Sequence, residues 1–247
     1  MNAELVGLIT FGFLLAAIAA GMQVSEDRLS ISTKDTVKLA ASLVATLAAL
    51  VLGLLVSSAK GSYDTVRNEV IEISAKIVFL DRVLAGYGAE SAEARAHLRE
   101  TAEESINRMW PTESKRSVNL ALPKEAGNAL YMAIHSLTPK DDVQRSLKTE
   151  ASNLTIDLGK TRTLLVAQSV PSISKLMLVV LISWLVIIFF SFSMLAPTNV
   201  PAVVALGISA LSVCGAIALI LELDRPFGGL MGLSSEPIRN ALAQVAK

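Results

Sequence analysis

Residues 39–59 read LAASLVATLAALVLGLLVSSA and contain no charged side chain. An apolar stretch of about 20 residues, coiled into a helix that rises about 1.5 Å per residue, crosses roughly 30 Å of hydrocarbon. An open sheet would leave backbone groups unpaired in lipid, so a helix is the structure that suits this segment. The segment therefore predicts a membrane-spanning helix and an integral membrane protein.

Two more charge-free stretches extend this pattern along the chain. Leu5–Ser25 has the length of one span, and Leu176–Leu221 is long enough for two. The longer stretch is interrupted at Ala196–Pro201, which contains two prolines and an asparagine and is typical of a turn. We therefore predict four spans, the last two at Leu176–Leu195 and Ala202–Leu221. No Lys or Arg precedes the first span, so we do not expect a cleaved signal peptide.

Composition and charge exclude several classes of function. Hydrophobic residues make up 52% of the 247 residues, the mean hydropathy is +0.54, and Lys+Arg and Asp+Glu both number 22. The balanced charge gives no reason to expect nucleic acid as a partner. The predicted spans carry no Asp, Glu, Lys, Arg or His, which argues against proton-coupled transport and intramembrane catalysis. A passive pore needs no such group, because apolar constrictions can gate it.

Cysteine and histidine give no sign of a metal or redox centre. Cys214 is the one cysteine, so no intrachain disulfide can form. His97 and His135 have no second ligand at metal spacing. No nucleophile–base pair is visible either, so we expect no metal ion, no cofactor and no enzymatic activity.

Beyond the second span, apolar residues recur at alternating steps of four and three from Val66 to Leu84, which is a heptad seam. No proline lies between Leu39 and Leu84, so the second span is expected to continue as one long helix that ends at Gly86–Gly88. The charges that follow, of both signs and interspersed, are typical of solvated helix surfaces.

Three further helices are predicted before the third span. The first is capped by Ser91 and ends before Pro111. The second begins at Pro123, and the third runs from Thr138-Pro139 to Pro171. Their apolar faces carry, in turn, Ala94, Leu98, Ala102, Ile106 and Met109; Leu130, Ile134 and Leu137; and Val143, Leu147, Leu154, Leu158 and Leu165.

Four spans place both termini and residues 60–175 on one side of the membrane. The basic residues near the membrane on this side are Lys60, Arg67, Lys175 and Arg225, against Arg28, Lys34 and Lys38 on the other side. The turn between the last two spans has no basic residue, so the bias favours a cytoplasmic position for both termini. The predicted fold is all-α, with a cytoplasmic helical domain inserted between the second and third spans. Its parts are a helix pair at 1–59, the helical domain at 60–175, a second pair at 176–221 and a cytoplasmic tail at 222–247.

The tail begins with a helix end at Arg225-Pro226 and a turn at Gly228-Gly229. A short helix follows, capped by Ser234 or Ser235, with Ile238, Leu242 and Val245 on its apolar face. We expect the tail either to fold back onto the helical domain or to lie at the membrane surface. Glu222 and Asp224 are interpreted as a salt bridge or helix-end contact, with a cation site as the alternative.

Small residues form rows at steps of three or four along three of the spans. The rows are Gly12, Ala16 and Ala20; Ala41, Ala45, Ala49, Gly53 and Ser57; and Ala205, Ser209, Ser212 and Ala216. Such rows let helices approach closely, so our first interpretation is packing within one subunit and the second is a subunit interface or narrow pore. The third span carries Trp184, Phe189, Phe190 and Phe192, which suit a lipid-facing helix.

A set of short motifs resembles the bacterial bestrophin-like family. The motifs are Leu80-Asp81-Arg82-Val83-Leu84 followed by Tyr87-Gly88; Trp110-Pro111; Leu223-Asp224-Arg225-Pro226-Phe227-Gly228-Gly229; and Glu236-Pro237-Ile238-Arg239. The family is similar to bestrophins, pentameric chloride-permeable channels with four spans, cytoplasmic termini and a helical cytosolic domain. Bestrophins place a row of phenylalanines on the second span, whereas Leu39–Ala59 has no aromatic residue, so those pore residues have no counterpart here.

The resemblance implies an oligomeric ion channel in the bacterial inner membrane. Its implied partners are the lipid bilayer, further copies of the chain and inorganic ions, with anions as the candidate permeant ions. The alternative is a non-conducting scaffold or signalling adaptor whose helical domain binds a partner. The candidate pore-lining residues are Ala41, Ala45, Ala49, Leu50, Gly53, Leu54 and Ser57. The candidate structural or gating residues are Asp81, Arg82, Asp224, Arg225 and Pro226. We hypothesise that Asp81 or Arg82 pairs with Arg225 or Asp224.

Overall fold

The computed structural model describes residues 3–24, 30–110, 124–169, 173–229 and 231–245, and this part of the chain is helical, without a β-strand. The helices are α1 (Ala3–Met22), α2 (Ile31–Tyr87), α3 (Ala92–Met109), α4 (Lys124–Ser136), α5 (Asp142–Gln168), α6 (Lys175–Leu195), α7 (Val200–Leu223) and α8 (Glu236–Val245). The all-α prediction is confirmed. Pro111, Pro123 and Pro171, which were expected to bound helices, lie outside the described residues.

Within the described residues, four of these helices, α1, α2, α6 and α7, are long and apolar enough to cross a membrane, and they lie where the four spans are predicted. The break in the last apolar stretch is also confirmed, since α6 ends at Leu195 and α7 begins at Val200. The Asn199 side chain caps α7 by accepting a hydrogen bond from the Ala202 backbone N–H at 2.9 Å. Pro201 therefore lies in the first turn of α7, where its missing N–H costs nothing, rather than in the preceding turn.

Contacts divide the chain into two compact units. The first unit comprises Met1–Ser62 and Ser172–Asp224, and the second comprises Tyr63–Pro171 and Arg225–Lys247. Helix α2 contributes its apolar segment to the first unit and its heptad seam to the second.

In the first unit, α1 packs against both α6 and α7. Its buried face carries Val6, Thr10, Leu14, Ala17, Ile18 and Gly21. At Gly21 the approach to α6 is closest, because an added Cβ would lie 2.6 Å from the Phe190 carbonyl oxygen and 1.9 Å from Ser193 Oγ. Phe189 of α6 is buried as well, so the interpretation of the aromatic residues as lipid-facing is wrong for this one.

The second unit has a core built from the heptad seam of α2 and the apolar faces of α3, α4, α5 and α8. The residues that were predicted to form the apolar faces of α3 and α4 are all buried in this core. On α5 the prediction is wrong for Val143, which lies in the first turn of the helix and is 68% exposed, and the helix also starts later than predicted. Its N-cap is Asp141, whose carboxylate accepts from the Gln144 backbone N–H at 2.7 Å, and not Thr138-Pro139.

The tail folds back onto the helical domain, the first of the two predicted alternatives. Helix α8 packs against α3, and Arg99 donates to the Val245 carbonyl oxygen at 2.5 Å. The Trp110 indole N–H donates to the Leu233 carbonyl oxygen at 2.6 Å, and its ring meets the Phe227 ring edge-on at 5.5 Å. The tail is therefore part of the second unit.

The end of α2 follows the prediction, but Ser91 does not act as predicted. Helix α2 stops at Tyr87, and Gly88 follows with a φ of 117°, a conformation that favours glycine. Ser91 stands at the N-terminus of α3 without capping it. Its hydroxyl instead donates to the Leu84 and Gly88 carbonyl oxygens, at 2.5 and 2.8 Å, and so satisfies the end of α2.

Candidate functional site

The apolar segment of α2 is the least buried of the four candidate spans. Only 17% of its most apolar window is buried, against 33% for α1, 33% for α6 and 22% for α7. A helix that is so little covered by its own subunit has most of its surface left for lipid, for other copies of the chain or for a pore. This segment therefore carries the candidate functional site.

The row of small residues on α2 does not keep to one face, contrary to the prediction. Ala41 is buried and Ala45 is partly buried, whereas Ala49, Gly53 and Ser57 are exposed. The reason is geometric, since a step of four residues on a helix with 3.6 residues per turn advances by roughly 40°. Over the length of the row, the small residues turn from the covered side of α2 to the open side.

The open side of α2 follows a different pattern that the sequence interpretation missed. Residues spaced by four and three in alternation lie opposite the buried stripe, which consists of Ala41, Ala48, Leu55 and Ala59. We call this set the open face of α2; its members are Leu39, Leu43, Thr46, Leu50, Gly53 and Ser57. Of the predicted pore-lining residues, Leu50, Gly53 and Ser57 belong to this set, and Leu54 is exposed beside it. The heptad spacing was the signal that could have found the other three.

The small-residue rows of α1 and α7 also point away from their own subunit. Gly12, Ala16 and Ala20 are exposed, and a Cβ added at Gly12 would meet nothing within 4 Å. On α7, Ala205, Ser209 and Ser212 are exposed and Ala216 is partly buried. The interpretation of these rows as packing within one subunit is therefore wrong. The close packing within the subunit is made by Gly21 and its neighbours instead.

The candidate gating residues fall into separate environments. Asp81 binds Arg95 through two hydrogen bonds, 2.7 Å from Nε and 3.0 Å from Nη2, which joins α2 to α3 and raises the pKa of Arg95. The hypothesis that Asp81 pairs with Arg225 is therefore wrong. Arg82 is exposed, Asp224 is buried at the end of α7, and Pro226 is buried with its carbonyl oxygen 2.7 Å from the Leu233 N–H.

A polar cluster around Lys76 joins α2 to α5. The Lys76 ammonium lies 2.6 Å from Glu72 Oε1, 2.5 Å from Asp157 Oδ2 and 2.6 Å from Thr161 Oγ1. Burial lowers the pKa of Lys76, but the bonds to Asp157 and Glu72 raise it by more. The sequence interpretation missed this cluster, although the spacing of Glu72 and Lys76 is that of a helical ion pair.

Glu69 is a buried carboxylate one turn before this cluster, in the second unit and beyond the apolar segment of α2. The residue is 8% exposed, and its Oε2 atom has no hydrogen-bond partner among the described residues. Burial, and then the charge of Glu72, raise the pKa of Glu69 above its ordinary value of 4.5. The ionised form of Glu69 therefore costs stability in the folded protein.

We expect Glu69→Gln to stabilise the protein at neutral pH by about 1 kcal/mol, since it removes a buried charge that lacks a partner. The raised pKa means that folded wild type binds a proton more readily than unfolded wild type, so wild type gains stability as the pH falls. The advantage of the variant should shrink as the pH falls towards 4.5, the ordinary value. The midpoint of thermal unfolding in detergent, measured across this range, checks the prediction.

The matched control is Glu103→Gln on the exposed surface of α3, which should change stability by less than about 0.5 kcal/mol at any of these pH values. A Glu69→Gln advantage that stays constant with pH, or a loss of stability at neutral pH, would contradict the expected cost of the buried charge.

Comparison with known proteins gives one match. A family model described as "Bestrophin-like domain" matches residues 8–238. No curated protein and no solved structure gives a significant match. The matched region includes most of α1, all of α2 to α7 and the beginning of α8 up to Ile238.

Proposed function

This chain belongs to the bestrophin-like family, and from this premise we propose that it is an oligomeric ion channel with a passive pathway lined by α2. The observation that carries the proposal is the exposure of the open face of α2, which its own subunit leaves uncovered. Copies of the chain arranged around an axis would bring their open faces together.

The chemistry of the open face suits a gated apolar constriction. Leu39, Leu43 and Leu50 are 74%, 65% and 63% exposed in the single subunit, and leucines that ring a narrow passage exclude ions by expelling water. Gly53 leaves space beside them, and Thr46 and Ser57 add hydroxyl groups on either side of Leu50. A small change of helix tilt would widen or close such a passage.

In the proposed assembly the chain forms a homo-oligomer, a pentamer by the family resemblance, in the bacterial inner membrane. Both termini and the second unit lie in the cytoplasm, in keeping with the basic residues on that side. Because α2 belongs to both units, movement of the helical domain has a direct route to the pore-lining segment. The Asp81–Arg95 pair and the Lys76 cluster fix α2 to α3 and α5, so they would transmit such movement.

We expect Leu50→Ser to raise ion flux by about tenfold or more, because a hydroxyl in the constriction lowers the free energy of wetting by at least about 1.4 kcal/mol. The measurement is chloride and potassium flux into liposomes that contain the purified protein. Wild type should pass at least one of these ions faster than empty liposomes.

The matched control is Leu8→Ser on α1, where the leucine is 72% exposed but lies outside the proposed pathway. This control should leave flux at the wild-type level. An equal rise with both variants would place the pathway elsewhere. No flux above empty liposomes for either ion, across a range of pH and calcium, would reject the channel and leave the scaffold alternative.

A further inference from the structure

Helix α2 carries a second row of residues where it runs through the second unit, on the side of the helix opposite the heptad seam. We call this set the outer row of α2; its members, spaced by three and four in alternation, are Asn68, Ile71, Ala75 and Val78. Ile71 is 44% exposed, and Phe79 beside the row is 47% exposed, so the described residues of the subunit cover only about half of each side chain. Exposed apolar side chains at this spacing are typical of a helix that packs against another helix.

Charges of opposite sign flank the outer row on its two sides. Arg67 and Glu72 are both exposed and are five residues apart, which on a helix with 3.6 residues per turn separates them by roughly 140°. The outer row lies within this angle. Glu72 contacts Lys76 through its Oε1 atom at 2.6 Å, yet its side chain remains 55% exposed. One flank of the row is therefore positive and the other is negative.

This arrangement is complementary to itself. Copies of a membrane protein share one orientation in the bilayer, so the α2 helices of neighbouring copies run parallel. In parallel helices that share an apolar row, the flanking positions e and g form ion pairs between the helices, and an asparagine within the row fixes their register. Arg67, Asn68 and Glu72 stand at such positions. A second copy of the chain therefore already has the pattern that fits the outer row.

We propose that the outer row of α2 is the surface through which the second unit binds a second copy of this chain, with Arg67 of one copy paired with Glu72 of the next. The inference rests on the proposed function, since it describes a contact within the same oligomer. Each copy uses its positive flank towards one neighbour and its negative flank towards the other. A closed ring built by this contact leaves neither flank without a partner.

The first test places a cysteine in the outer row, with Cys214→Ser as the background of every variant. Membranes that contain the full chain are treated with a short bismaleimide cross-linker. Ala75→Cys should give products at multiples of the chain mass on a denaturing gel, because like positions of the row face each other between parallel copies. Asn128→Cys on α4 is the matched control, since this residue is also exposed but lies outside the row, and it should stay monomeric.

The second test reverses the flanking charges and measures the mass of the purified complex in detergent during dilution. Arg67→Glu and Glu72→Arg should each weaken association by about tenfold or more, because each brings like charges together. The variant with both changes should recover most of the wild-type affinity. A folding defect cannot explain such a recovery, since Glu72→Arg removes the contact with Lys76 in the double variant as well. Lys160→Glu on the exposed surface of α5 is the matched control and should assemble as wild type does.

Three results would overturn the proposal: equal cross-linking of Ala75→Cys and Asn128→Cys, a cross-linked product whose mass indicates a different protein, or a double charge variant as dissociated as the single ones. Assembly and ion flux are separate readouts. Complexes that cross-link through Ala75→Cys but pass no ion would reject the channel alone, whereas flux without this cross-link would reject the contact alone.

Discussion

Replacing Gly21 by alanine should destabilise the packing of α1 on α6 by about 3 kcal/mol or more, beyond the usual overpacking cost of roughly 1–3 kcal/mol. The new Cβ would lie 1.9 Å from Ser193 Oγ, 2.6 Å from the Phe190 carbonyl oxygen and 3.0 Å from the Met194 nitrogen. The serine hydroxyl can rotate away, but the two backbone atoms cannot move without displacing the helix. We expect a large fall in the thermal unfolding midpoint in detergent, with less folded protein recovered.

Gly12→Ala is the matched control, since Gly12 is in the middle of the same helix and an added Cβ meets nothing within 4 Å. Alanine is a better helix former than glycine by roughly 0.5–1 kcal/mol, so the control should be neutral or slightly stabilising. Equal stability of the two alanine variants would show that α1 and α6 are not packed at Gly21 as described.

The second large effect is expected for Asp81→Ala, which should cost about 2–3 kcal/mol of stability. Removing the carboxylate leaves the guanidinium of Arg95 without its ion-pair partner, and the Arg95 side chain is only 27% exposed. A fully buried charge left alone costs roughly 3–5 kcal/mol, and the water that reaches Arg95 reduces this value. Thermal unfolding in detergent gives the loss, and combining Asp81→Leu with Arg95→Met should recover part of it because both charges are then gone.

The control pair for this experiment is Asp142 and Arg145, whose side chains are 93% and 68% exposed. Such a surface pair contributes at most about 1 kcal/mol, so Asp142→Ala should have little effect. If Asp81→Ala lost no more stability than Asp142→Ala, the Asp81–Arg95 pair would not stabilise the second unit. Its proposed role in transmitting movement to the pore would then be rejected as well.

The helices themselves were predictable from the sequence because they depend on local and periodic signals. The charge-free segments predict the long apolar helices. The heptad seam that begins at Val66 predicts the continuation of α2, and the glycine at position 88 predicts its end; the structure agrees with each of these predictions. Helix starts were less predictable, since several polar residues near α5 could act as the cap. The choice of Asp141 over Thr138 depends on which side chain reaches a free N–H, and this is a matter of geometry.

The candidate site was harder to predict than the fold. A row of small residues has the same sequence pattern whether it packs inside its own subunit or faces outwards. Only the observed packing of α1 on α6 and α7 shows which of these two orientations a row has. The partner of Asp81 was missed for a related reason. Arg95 is separated from it by the end of one helix and the start of the next, and no sequence period connects the two positions.

The buried stripe of α2 also limits how this helix can change length during evolution. The stripe keeps its phase from Ala41 to Ala59, and the heptad seam keeps its own from Val66 to Leu84. Inserting one residue would rotate everything after it by roughly 100°, whereas seven residues rotate it by only about 20°. A single-residue insertion or deletion within the apolar segment would therefore turn the rest of the open face to the wrong side, and one within the heptad seam would do the same to the rest of that seam. Natural length variation in this helix is compatible with the fold mainly in whole heptads, while the connections between helices are free of this restriction.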